Sequence, residues 1–181
     1  MAGRPRSFDR ETALLIAMEK FWRSGYEATT IAKLTEAMEI TPPSLYAAFG
    51  DKDQLFAAAS TVYFDAISVQ FEKALALPTL REAVTEMLVL TAAAHTDGGT
   101  PPGCFLATEP RLASERTVLR NRLARRVEQA VQDGDVPAHT DPEQVAGYVM
   151  AAHAGMSSRA RDGGTLAELM AIATMTLNAL P

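Results

Sequence analysis

This sequence is short of what several function classes require. It has one cysteine, Cys104, which excludes an intrachain disulfide and suits a reducing cytoplasm. Basic residues are not in excess: 17 Lys and Arg face 22 Asp and Glu, a net charge of −5. Any nucleic-acid footprint must therefore come from placement rather than totals. No apolar run is long enough for a membrane span, and no apolar run follows the opening arginines as a secretory signal needs. The alternation of a half-buried strand is never sustained. The three histidines, His95, His139 and His153, are scattered over separate elements without metal-ligand spacing, so no metal or cofactor is expected.

What is present is helical periodicity, with 48% hydrophobic residues in 181, the composition of a globular chain. A first helix is expected over Asp9–Ser24, with Leu14, Leu15, Met18, Phe21 and Trp22 as its apolar stripe and Gly25 as its stop. Thr30 caps a second helix that turns Ile31, Leu34 and Met38 inward. Thr41 then opens the short stretch "TPPSLYAAFG", in which Leu45 and Phe49 are the anchors and Ser44, Ala47 and Ala48 face outward. Asp51 and Gln54 form a capping-box-like pair at the head of a long helix that ends before Pro78. Further helices are expected over 80–96, 103–112, 115–133, 142–161 and 166–180, with Asp141 capping and Pro142 at the first helical position of the fourth.

The fold expected is all-α: three short N-terminal helices forming a helix-turn-helix unit, a long connector and a larger helical bundle. The boundary is expected near residue 53, with 1–53 as the helix-turn-helix part and 54–181 as the helical body. The first part holds 7 basic and 8 acidic side chains, so most of the excess acid lies in the second. Small outward residues on the third helix allow a close approach to the floor of a major groove about 12 Å wide.

The stretch "GYEATTIAKLTEAMEITPPSLYAAFGDKDQLF" resembles the N-terminal domain of the tetracycline-repressor (TetR/AcrR) family of bacterial transcription regulators. The matching residues are Phe21, Gly25, Tyr26, Thr29, Thr30, Ile31, Leu45, Tyr46, Phe49, Lys52, Leu55 and Phe56, and "PPGCFLATE" is like a segment found in many members. The resemblance implies a cytoplasmic homodimer that binds a double-stranded DNA operator and releases it when a small molecule enters the C-terminal body. It also implies that Thr30, Tyr46 and Lys52 contact phosphates, and that Thr41, Pro42, Pro43 and Ser44 lie over bases or adjoining backbone. Arg4 and Arg6 fall where members carry a minor-groove arm; a free tail is the plainer reading. Two positions depart from the pattern. Met38–Glu39 stands where many members have a glycine, so a positive φ at Glu39 would carry strain of about 1 kcal/mol. Pro42–Pro43 removes two N–H groups from a helix start, and Pro43 should push Pro42 toward an extended conformation.

In the body, Phe64, Ile67, Phe71, Leu88, Thr91, His95, Phe105, Thr108 and Leu112 are the expected effector-lining residues, a mainly apolar set. Val145, Tyr148, Val149, Ala152, Met156, Leu169, Met170, Ala173 and Leu177 are the expected dimer contacts on the last two helices. Arg116, Arg120, Arg122, Arg125 and Arg126 read as the solvated face of one helix, and Cys104 as a small buried apolar residue. Two rivals remain. An all-α enzyme lacks any nucleophile–base pair at plausible spacing. A helical adaptor that binds protein would suit Glu39 and the uncharged third helix.

Overall fold

The computed structural model describes residues 8–181. They form helices α1 (Arg10–Ala28), α2 (Ile31–Ala37), α3 (Pro42–Phe49), α4 (Lys52–Leu75) and α5 (Leu80–His95). There follow α6 (Phe105–Thr108), a 3-10 turn (Pro110–Leu112), α7 (Ala113–Gln132), α8 (Pro142–Arg161) and α9 (Leu166–Asn178). No strand occurs among the described residues, and none of their helices is long and apolar enough to cross a membrane. Packing divides the chain into one unit ending at Tyr63 and another of Phe64–Pro181. The division falls later than residue 53 because the first turns of α4 bury Leu55, Phe56, Ala59 and Tyr63.

The first unit is organised by aromatic rings. Phe21, fully buried, meets Phe56 edge-on at 5.1 Å, and Trp22 meets Tyr63 at 4.9 Å. The expected stripe on α1 is narrower than its pattern, since Leu15 is 43% exposed and Met18 only half-buried. Gly25 does take a positive φ of 74°, but it kinks α1 rather than ending it. One further turn follows, which lets Tyr26 stack on Phe21 at 6.1 Å. Thr30 caps α2 by accepting from the Lys33 N–H. Asp51 and Gln54 exchange reciprocal bonds at the head of α4, as their spacing predicts.

In the second unit, Thr79 with Glu82 and Thr165 with Glu168 close full capping boxes on α5 and α9, while Asp141 caps α8 ahead of Pro142. The single helix expected over 103–112 is instead two short pieces. Pro110 has no N–H to donate and drives Glu109 to an extended ψ of 113°, which breaks the helix there. The arginines of α7 are not simply a solvated face. Arg126, 9% exposed, donates to the carbonyls of Leu75, at the end of α4, and of Leu77 and Pro78 just past it. Arg116 donates to the carbonyls of Leu106 and Glu109. Arg122 pairs with Glu72 and Arg120 with Glu143, so four of the five are committed within the unit.

Candidate functional site

The turn between α2 and α3 decides how the third helix is presented. Glu39 has φ 55°, the only positive φ at a non-glycine residue among those described. Its N–H bonds to the Glu36 carbonyl and the Ile40 N–H to the Thr35 carbonyl. That pair of bonds is a Schellman motif, with Glu39 in the left-handed position that glycine fills most cheaply. The strain expected at Glu39 is therefore present.

Thr41 opens α3 with an extended backbone, and its hydroxyl accepts from the Ser44 N–H and lies 2.9 Å from the Ser44 hydroxyl. Pro42 and Pro43 occupy the first two helical positions. Pro42 is thus helical rather than extended, because the restraint from the next proline is outweighed where its own φ already suits a helix start. Leu45 and Phe49 are buried, as their i, i+4 spacing predicts, and the Arg10 guanidinium lies 4.8 Å over the Phe49 ring. The exposed face carries Pro42, Pro43, Tyr46 and Ala47, with Tyr46 half exposed, while Ser44 and Ala48 are half-buried. This face is uncharged.

Lysines flank α3 in the sequence rather than lying on it. The Lys52 ammonium lies 3.9 Å over the Tyr26 ring, whose hydroxyl donates to Asp53 at 2.7 Å. Aromatic stacking and the fixed helix start hold Lys52 in one place without neutralising it. Lys33, one turn into α2 from Thr30, is exposed and donates to the Ala28 carbonyl. It was not among the residues the sequence pointed to, although its spacing from Thr30 was the available signal. Arg4 and Arg6 lie outside the described residues.

Of the expected effector-lining residues, Leu88 and Phe105 are fully buried, Phe71, His95 and Leu112 are buried, and Phe64, Ile67 and Thr91 are half-buried. Thr108 is exposed, and its hydroxyl is turned back onto the Cys104 carbonyl. A cleft of about 200 Å³ in the second unit, lined by Thr79, Leu80, Arg81, Asp135, Val136, Leu180 and Pro181, contains none of them. The histidines are not all scattered: His95 and His153 converge on Cys104. Helix packing brings together residues from α5, α8 and the loop before α6, which no linear spacing reveals. Burial pushes the His95 imidazole below its usual pKa, and nearby Cys104 partly opposes this.

Four of the expected dimer contacts, Val149, Met156, Leu169 and Ala173, are buried within the chain itself, because they face the core between α8, α9 and α5. They are core, and this corrects the expectation. Val145, Ala152, Met170 and Leu177 are half-buried, and Tyr148 is 45% exposed. Met175, 72% exposed, and Leu166, 49% exposed, are apolar residues of α9 left at the surface.

The geometry is shared with known proteins. The family model described as "Bacterial regulatory proteins, tetR family" matches residues 14–59. The HTH-type transcriptional repressor ComR of Escherichia coli (strain K12) is 34% identical, over 99% of this chain and 92% of its own length. The HTH-type transcriptional repressor BdcR of the same organism is 28% identical over 98% of this chain and 92% of its own. Among solved structures, the TetR family regulator CifR, as a cysteine mutant complexed with 26bp double-strand operator DNA, superposes with a TM-score of 0.87. It is 39% identical and is matched over 98% of this chain and 100% of that one.

Proposed function

The chain belongs to the tetR family of bacterial regulatory proteins, and from that premise we propose that it represses transcription by binding a palindromic operator until a small molecule releases it. It is a ligand-responsive, DNA-binding regulator of the helix-turn-helix type. The observation that supports this reading is the exposed, uncharged face of α3, with Lys52 fixed over the Tyr26 ring at the start of the following helix. Pro42, Pro43 and Ala47 supply apolar contacts to base edges or sugars in the major groove, and Ser44 and Tyr46 supply the polar ones. Lys52 and Thr30, with Lys33, hold phosphates on either side. An acidic protein can bind DNA in this way because phosphate contacts depend on local charge, while −5 is a sum over the whole surface.

Two reading heads about one helical turn apart require a dimer. Exposed apolar residues on α8 and α9, Tyr148, Leu166 and Met175, support its assembly there. The effector is a mainly apolar molecule taken into the body between α4, α5 and the segment at Phe105–Leu112, and the protein works in the cytoplasm without catalysing a reaction. Domain roles follow the same division: α1–α3 and the head of α4 read DNA, and the remainder senses and dimerises.

The test is fluorescence anisotropy with duplexes spanning the chain's own upstream region, over a salt series. Specific binding should appear and weaken with salt, and Tyr46→Ala and Lys52→Ala should each lower affinity while the dimer persists. Only Lys52→Ala should reduce the salt slope, by about one. Absence of binding at the lowest salt, or no palindrome from random-site selection, would favour the protein-binding adaptor instead.

A further inference from the structure

Three metal-ligating side chains that are distant in sequence meet inside the second unit. His95 closes α5, Cys104 precedes α6 and His153 lies within α8. One donor atom from each falls within 4.8 Å of the other two. The two imidazole rings meet edge-on, their centroids 5.2 Å apart. His95 is 5% exposed and Cys104 3%, whereas His153 is half-buried and gives a path to solvent. His95 Nδ1 is buried with no hydrogen-bond partner. An orphaned polar atom of that kind costs stability unless a ligand satisfies it.

The backbone around the cluster is fixed. The Gly103 N–H donates to the His95 carbonyl at 3.1 Å, and the Cys104 N–H donates to the Ser157 hydroxyl at 2.8 Å, one turn beyond His153. Gly103 has φ 76° and lies against α8 so closely that a Cβ would stand 2.7 Å from the Ser157 carbonyl oxygen. Only glycine permits that approach, and it sets the thiol beside His153 before any ligand arrives.

We propose that His95, Cys104 and His153 form a binding site for a soft or borderline transition-metal ion, Cu(I) or Zn²⁺. A thiolate with two imidazoles selects these ions over the oxygen-seeking Mg²⁺, Ca²⁺ and Mn²⁺. Metal–sulfur and metal–nitrogen bonds of about 2.3 and 2.0–2.1 Å place ligand atoms about 3.5 Å apart. Drawing the donors in by about 1 Å is within the reach of small side-chain rotations. The Cys104 thiol releases its proton to solvent on binding, and both imidazoles bind as neutral bases. Three protein ligands leave Zn²⁺ one open position for water. The inference rests on the second unit alone and stands whether or not the chain binds DNA.

The experiment titrates the purified, metal-free full chain with Zn²⁺ against a chromogenic chelator, with Cu(I) against a Cu(I)-specific one, and with Co²⁺ as a spectroscopic probe. The wild type should take up one equivalent of Zn²⁺ or Cu(I) per chain and show a near-ultraviolet thiolate-to-cobalt band. Cys104→Ser should abolish the band, and His153→Ala should weaken uptake at least about tenfold. His139→Ala, which changes the one histidine outside the cluster, should leave both unchanged. The cobalt band needs no variant, so a misfolded mutant does not obscure the result. Failure of the wild type to bind either ion stoichiometrically, a band that survives Cys104→Ser, or an equal loss in His139→Ala overturns the proposal.

Discussion

Replacing Glu39 with glycine should make the protein both more stable and tighter on DNA, for separable reasons. Glu39 holds the left-handed position of the Schellman motif that ends α2, at φ 55°. A side chain there costs about 1–2 kcal/mol, and glycine gives back about 0.5–1 kcal/mol through its freer unfolded state. The net gain for Glu39→Gly is about 0.5–1 kcal/mol. In a chain of this size each kcal/mol moves the melting temperature by about 2–4 °C. Glu39→Ala keeps the Cβ and therefore the strain, so it should gain no such stability. Both variants remove an exposed negative charge from the turn that leads into α3. Losing one exposed charge repulsion of about 0.2–1 kcal/mol should raise operator affinity a few-fold at low salt, equally in both. Thermal melts and anisotropy on the three proteins separate the terms. If Glu39→Gly melts no higher than Glu39→Ala, the backbone reasoning fails; if neither binds DNA more tightly, the turn does not approach phosphate.

Three other perturbations follow from single contacts. Arg126→Ala removes three bonds to carbonyls at and just past the end of α4 and leaves those acceptors partly buried, so stability should fall by about 2–3 kcal/mol, read by urea unfolding. Glu168 is held at about 2, below its usual 4.5, first by its bond to Arg159 and then by the Thr165 N–H. A depressed carboxylate contributes stability above its unfolded pKa and loses it on acidification, so the wild type should lose stability between about pH 4.5 and 2, and Glu168→Gln should show a shallower acid slope there. Tyr148→Asp should yield folded monomer in ultracentrifugation while leaving the helical content unchanged, because its ring is on the outer side of α8; a dimer that persists would move the interface elsewhere.

The helix inventory was legible because local signals mark it: Asp9, Thr30, Thr41, Thr79, Asp141 and Thr165 all cap helices through side-chain oxygens. Leu45 and Phe49 were legible as anchors for the same reason, since i, i+4 spacing is a local property. What periodicity cannot resolve is which of two apolar faces a helix turns inward. On α8 and α9 nearly every position is small or apolar, and Val149, Met156, Leu169 and Ala173 proved to be core, while Met175 was left outside. The arginines of α7 failed for a related reason. A guanidinium on a long stem can reach carbonyls of a helix about fifty residues away, and composition carries no trace of that partner.

The same limit explains why the His95–Cys104–His153 cluster was invisible while the helix-turn-helix was not. A helix-turn-helix is contiguous, so its caps, anchors and exposed face sit in one window of sequence. The cluster draws one residue from each of three elements, and its register depends on Gly103 lying against Ser157. An uncharged α3 also ceases to be a paradox in this light. In the proposed reading its cations come from the start of α4 and the first turn of α2, with Lys52 steadied by Tyr26 and Lys33 by the Ala28 carbonyl. On that reading shape is carried by the helix itself and charge by its neighbours in the chain. If these residues contact DNA as proposed, the contacts that choose a sequence and those that set salt dependence sit on different elements, and altering one should leave the other unchanged.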